Sequence, residues 1–191
     1  GMQAGEQLDT IHKTQAQNLW LLAMYEAVRK AKALQELNVH KQIVNRLLEP
    51  FSWITVIVSA TEWDNFFALR ISPLAQPEIC DLAKKMLSAM TESTPTLRGT
   101  HDYHLPYVTS LEREGLSPQV AMMVSAARCA RVSYLNHDGI LPDINKDMAL
   151  AERLLNDKHA SVFEQQARPF SEFVASRNFN GWEQHREMLG L

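Results

Sequence analysis

The residues best placed to do chemistry lie in the run Thr61-Glu-Trp-Asp-Asn-Phe-Phe-Ala-Leu-Arg70 and the Ile-Ser-Pro-Leu-Ala75-Gln-Pro-Glu-Ile79 that follows it. Thr61 is a candidate helix cap, and Asp64 places a carboxylate where a helix N-terminus favours one. Trp63, Phe66 and Phe67 fall at helical spacing and predict a single apolar face. Asn65 and Arg70 stand about one and a half turns apart, so they are nearly opposed on an ideal helix. They meet on one ligand only where the helix ends and Arg70 leaves its last turn. Pro73 and Pro77 interrupt the backbone, and Ala75-Gln76-Pro77-Glu78 predicts a new helix with proline at its first position. An arginine held between two such helices suits a planar or anionic ligand. The plainer alternative is a core helix that ends in a solvated arginine.

These residues are positioned by a chain of 191 residues, long enough for one cored domain spanning 1–191. Hydrophobic residues make up 46% and charged residues 21%, a soluble globular balance. A formal charge of −3 gives no whole-molecule reason to bind nucleic acid. Cys80 and Cys129 sit far apart in helical patterns and read as buried free thiols of a reducing compartment. No charged-then-apolar leader opens the sequence, and no apolar run approaches the ~18 residues of a membrane span. The expectation is a cytoplasmic protein with no membrane partner.

Apolar periodicity predicts helices over Gln15–Leu37, ended by Asn38, and over His40–Leu48, stopped by Pro50. In the first of these Leu19, Leu22, Ala23 and Val28 can share a side. Ser52–Ser59 is β-branched and apolar almost throughout and predicts a buried strand. A helix follows from Pro77 to about Met90. The stretch 92–108 is irregular and holds the histidine pair His101 and His104. No third ligand lies nearby, so it reads as a connecting loop and no metal site is expected. Ser117-Pro118 opens a helix to about Ala130 by cap and first-position proline. Asn136–Gly139 reads as a turn, Lys146–Asn156 as a helix, 163–170 as a strand, Asn178–Gly181 as a turn and Trp182–Leu189 as a last helical piece.

Asn45-Arg46-Leu-Leu-Glu-Pro50, Asn65-Phe66-Phe67-Ala-Leu69-Arg70 and Ala75-Gln76-Pro77-Glu78-Ile79 occur in that order. The set resembles the A-R-x-x-L-P, N-F-x-x-L-R and A-Q-x-E-I motifs in the C-terminal half of flavin-dependent thymidylate synthases, the ThyX family. Arg131-Val-Ser133-Tyr and His159-Ala-Ser161-Val-Phe163-Glu164 resemble that family's N-terminal A-R-V-S-[FY] and H-x-[ST]-P-F-E-H. Residues 15–98 thus resemble the family's C-terminal half and 117–191 its N-terminal half, in reversed order. That order implies a circular permutation or a fragment. The resemblance implies an α+β fold, with helices packed around a mixed β-sheet in one self-associating domain, a homotetramer in the family. It also implies FAD-dependent reductive methylation of dUMP to dTMP, with methylenetetrahydrofolate and NADPH as co-substrates.

By position, Arg46 and Arg70 match arginines that contact the dUMP base, where a guanidinium donates to a uracil carbonyl and steadies charge developing in the ring. Both are expected to converge on one cleft. Asn65, Ser133, Ser161 and Glu164 match flavin-site positions, and His159 matches a histidine beside flavin and folate. Arg131 and Arg186 complete a polar set at element ends that suits holding a cofactor and a nucleotide in register. The residue types alone would not have suggested this activity; what they exclude are the G-x-S-x-G, P-loop and Rossmann patterns, none of which is present. The family's R-H-R-x(7)-S hallmark is also missing; Gln184-His185-Arg186 resembles only its start. Gln165 stands in place of the family histidine after Glu164, and Val162 in place of the proline. A second expectation therefore stands beside the first, a non-catalytic member of the fold without flavin.

Overall fold

The computed structural model describes residues 7–132, 143–170, 175–176 and 179–191. The chain divides into two units, Gly1–Ile54 and Thr55–Leu191. In the first, Asp9 caps helix α1 (Thr10–Glu36) by accepting the backbone N–H of Ile11 and His12, each at 2.9 Å. Its far end closes in a Schellman turn. Asn38 takes φ 60°, its N–H reaches Gln35 O at 2.9 Å, and Val39 N–H reaches Leu34 O at 3.1 Å. Helix α2 (Lys41–Arg46) and a 3-10 turn at Glu49–Phe51 follow. Trp20 meets Phe51 edge-on at 5.3 Å. The apolar side expected of α1 is not a buried one: Leu19, Trp20, Leu22 and Tyr25 are all exposed, and Ala31 alone in α1 is buried.

The strand expected over Ser52–Ser59 does not form. Residues 52–60 are neither helix nor strand, Trp53 is 101% exposed, and Ile54, Val56 and Val58 are exposed beside it. A strand exists only when its backbone groups find a partner edge, and none of the described strands pairs with this segment. Apolar β-branched composition selects the extended backbone but cannot supply that edge.

In the second unit α3 (Asp64–Arg70) packs on α4 (Pro77–Glu92), whose first-position proline sits as expected. Thr61 is not the α3 cap. Trp63 occupies that position without a side-chain capping bond, and Thr61 Oγ1 instead accepts Asn180 N–H at 2.8 Å. Trp63, Phe66 and Phe67 do cluster, with ring centroids 5.4 to 6.1 Å apart. Helix α5 (Ser110–Gly115) opens with a capping box between Thr109 and Glu112.

Helix α6 (Pro118–Ala130) is the buried centre of the unit. Helix α7 (Ile144–Asn156) packs against it, and Ala126 and Ala127 of α6 and Ala151 of α7 are fully buried. The core gathers Leu105, Val108, Ala121, Met122 and Val124. A 3-10 turn (Ala160–Phe163) then leads to β1 (Ala167–Pro169), so the strand expected from 163 starts four residues late. Antiparallel β1 pairs with β4 (Trp182–Gln184), and β2 (Ala175–Ser176) with β3 (Phe179–Asn180). The last piece is therefore strand before it is helix, with α8 only at His185–Met188. The fold is α+β, and the pairing among the described residues is antiparallel. The turn expected at Asn136–Gly139 lies outside the described residues. No helix among the described residues is long and apolar enough to cross a membrane.

Candidate functional site

Segment 58–63, the end of α4, and the β3–β4 turn enclose a cleft of about 360 Å³ in the second unit. Its walls are largely aromatic and apolar: Val58, Trp63, Met90, Phe179 and Trp182. Few polar groups reach it. Trp63 Nε1 donates to Ala60 O at 3.0 Å, whereas the indole N–H of Trp182 and the ring of His104 have no hydrogen-bond partner among the described residues. His104 keeps an accessible face, yet desolvation by the surrounding chain, with the Arg113 and Arg98 charges behind it, holds it below the ordinary histidine range. It therefore faces the cleft as a neutral imidazole at neutral pH. A volume at the lower end of the small-ligand range suits one ring system stacked between aromatic walls.

Trp63 ties this cleft to the residues singled out in the sequence, because Asn65 lies in the first turn of α3 immediately after it. Asn65 is exposed there, and Arg70 is exposed at the other end of the same helix. Arg46 is the last residue of α2, exposed, in the first unit. His159, Ser161 and Glu164 are brought together by the 3-10 turn after α7. None of the Arg46, Asn65, Arg70, His159 or Ser161 side chains is hydrogen-bonded or ion-paired within the described residues. Glu164 differs. Its Oε2 accepts Arg186 Nη1 at 2.7 Å and its Oε1 accepts Gln165 Nε2 at 3.3 Å. Ser133 lies outside the described residues. Among those residues no three His, Cys, Asp or Glu side chains cluster as a metal ion would require.

Sequence reading missed how deeply the Gln184-His185-Arg186 segment is buried. Arg186 donates through Nε and Nη2 to Gln184 Oε1 at 3.0 and 2.7 Å, and Gln184 Nε2 donates to Glu164 O at 2.9 Å. His185 is 3% exposed, edge-on to Phe163 at 5.5 Å, and its Nδ1 has no partner among the described residues. Burial pushes its pKa down to about 4. The unfolded chain then binds a proton between roughly pH 6.5 and pH 4 that the folded chain refuses. Stability should be complete above that window and fall as pH drops through it, by up to about 3 kcal/mol, then level off. Denaturant midpoints measured from pH 7.5 to pH 4 should show this decline, and His185→Phe should flatten it.

A second buried network also lacked a local signal. Arg128 Nε donates to Asp147 Oδ2 at 2.8 Å, and Arg128 Nη2 to Glu112 Oε1 at 2.7 Å. Arg131 pairs with the other oxygen of Asp147. The Arg128 guanidinium and the Thr109 cap hold Glu112 down to about 2. Beside them Cys129 is buried and pushed up to about 11 by desolvation, which makes it an inert thiol.

Comparison with known families gives one finding. Residues 4–96, the segment that carries Arg46, Asn65 and Arg70, match the thymidylate synthase complementing protein family. These are the flavin-dependent thymidylate synthases that the motifs resemble. Comparisons with curated proteins and with solved structures give no match.

Proposed function

We propose that the protein binds FAD and dUMP and serves reductive methylation of dUMP to dTMP, with methylenetetrahydrofolate and NADPH as co-substrates. The observation that carries this reading is the family match over residues 4–96, the segment that contains Arg46, Asn65 and Arg70. The chain's donor set fits such ligands, because the Arg46, Asn65, Arg70, His159 and Ser161 side chains are unspent. Arg46 and Arg70 would orient the pyrimidine and steady charge in its ring. Asn65, Ser161 and His159 would hold the flavin, which when bound supplies the reducing equivalents. Ser133 belongs to the same set by motif position. Glu164 would act by fixing Arg186 and the turn that presents His159 and Ser161. The exposed apolar side chains of α1 support self-association, with a homotetramer as the proposed state. A single cytoplasmic ThyX-like domain is part of the same reading.

Gln165 and Val162, in place of the family's histidine and proline, favour a second reading, a member of the fold that does not turn over. Visible flavin absorbance after incubation with FAD, followed by dUMP titration, separates the two. Under the first reading dUMP perturbs the flavin bands, and Arg70→Ala weakens dUMP by about tenfold or more while flavin is retained. Binding without product formation selects the non-catalytic member. Neither flavin retention nor a dUMP response from micromolar to millimolar would remove the binding claim.

A further inference from the structure

Beyond residue 96, where the family match ends, the loop before α5 and the first turn of α6 enclose a second pocket of about 180 Å³. Two guanidinium groups, Arg98 and Arg113, line it together with His101 and Tyr103. Arg113 is fixed in place by donating to the carbonyls of Tyr103 and Leu105 at 3.0 Å each and of Val108 at 3.4 Å. Three bonds leave two of its five N–H donors unspent. Arg98 is half-buried and has neither an ion pair nor a hydrogen bond among the described residues. The carboxylate lining the pocket, Asp102, already accepts Gly99 N–H through Oδ2 at 2.9 Å. Pro118 and Ala121 bring the positive end of the 13-residue helix α6 to the same wall.

Two like charges beside one another without a full set of counter-charges are costly, and Arg113 shows it: burial first, then the Arg98 charge, lowers its proton affinity, and the Asp102 carboxylate offsets only part of this. A tetrahedral oxyanion would relieve this by accepting from several directions at once. The pocket has room for a phosphate group and a few waters. We propose that this pocket is an oxyanion site that takes a phosphate group, as free phosphate or as the phosphate of a nucleotide. The proposal does not depend on flavin binding.

The test is calorimetric titration of the full chain with inorganic phosphate at fixed ionic strength, with uridine and uridine monophosphate as further arms. Phosphate is expected to bind, and Arg98→Gln to weaken it on the order of tenfold, with Arg98→Lys in between. Arg98 carries no structural bond, so the variant should keep the wild-type melting temperature, which confirms that it folds. Tighter binding of the monophosphate that Arg98→Gln weakens and Arg70→Ala leaves unchanged identifies a nucleotide as the source, and binding equal to that of phosphate identifies free phosphate. The proposal fails where phosphate gives no heat up to tens of millimolar, where Arg98→Gln binds it as tightly as the wild type, or where uridine competes with it.

Discussion

Asp147→Ala should destabilise the second unit by about 3–5 kcal/mol, read as a fall in denaturant midpoint with an unchanged slope. Asp147 is 0% exposed and answers two arginines, Arg128 through one oxygen and Arg131 through the other. Truncation removes the acceptors but leaves the Arg128 guanidinium buried, with Glu112 as its remaining carboxylate. The cost is that of a stranded charge, more than the net worth of one ion pair. Asp147→Asn should cost less, because the amide oxygen still accepts from Arg128 Nε while the charge is lost. Equal losses for the two variants would show that packing, and not charge, dominates at this position.

Phe163→Ala should have an effect of similar size, about 3–5 kcal/mol, for a different reason. The ring is 0% exposed at the end of the 3-10 turn, and its removal leaves a void between that turn and α8. A second signature distinguishes this from simple loss of apolar area. His185 packs edge-on against the same ring, and its depressed pKa comes from desolvation. Water admitted to the void should let the imidazole titrate closer to pH 6.5, so its NMR titration should move upward in the variant. A His185 pKa that stays near 4 would show that the cavity collapses dry.

What was legible in the sequence was what neighbouring residues decide among themselves. Gln76-Pro77 and Ser117-Pro118 mark the starts of α4 and α6, and Asn38 marks the end of α1, because a cap needs only residues within a turn. The capping box Thr109-x-x-Glu112 carried the same kind of signal and was overlooked. The strand expected over Ser52–Ser59 failed because a strand depends on a partner that no local pattern names. Among candidate site residues, Arg46, Asn65 and Arg70 were legible only as motif positions. The burial of His185 and the meeting of Arg128 with Asp147, 19 residues away, arise from how α8 packs on the 3-10 turn and α6 on α7. Periodicity places such residues on a face but does not say which faces meet.

The four tryptophans are divided between the two units. Trp20 and Trp53 are exposed in the first, while Trp63 and Trp182 are partly shielded in the second, where both line the aromatic cleft. Intrinsic fluorescence is thus a built-in two-channel reporter: an aqueous quencher such as iodide silences the first pair preferentially, and the emission that survives belongs to the indoles around the cleft.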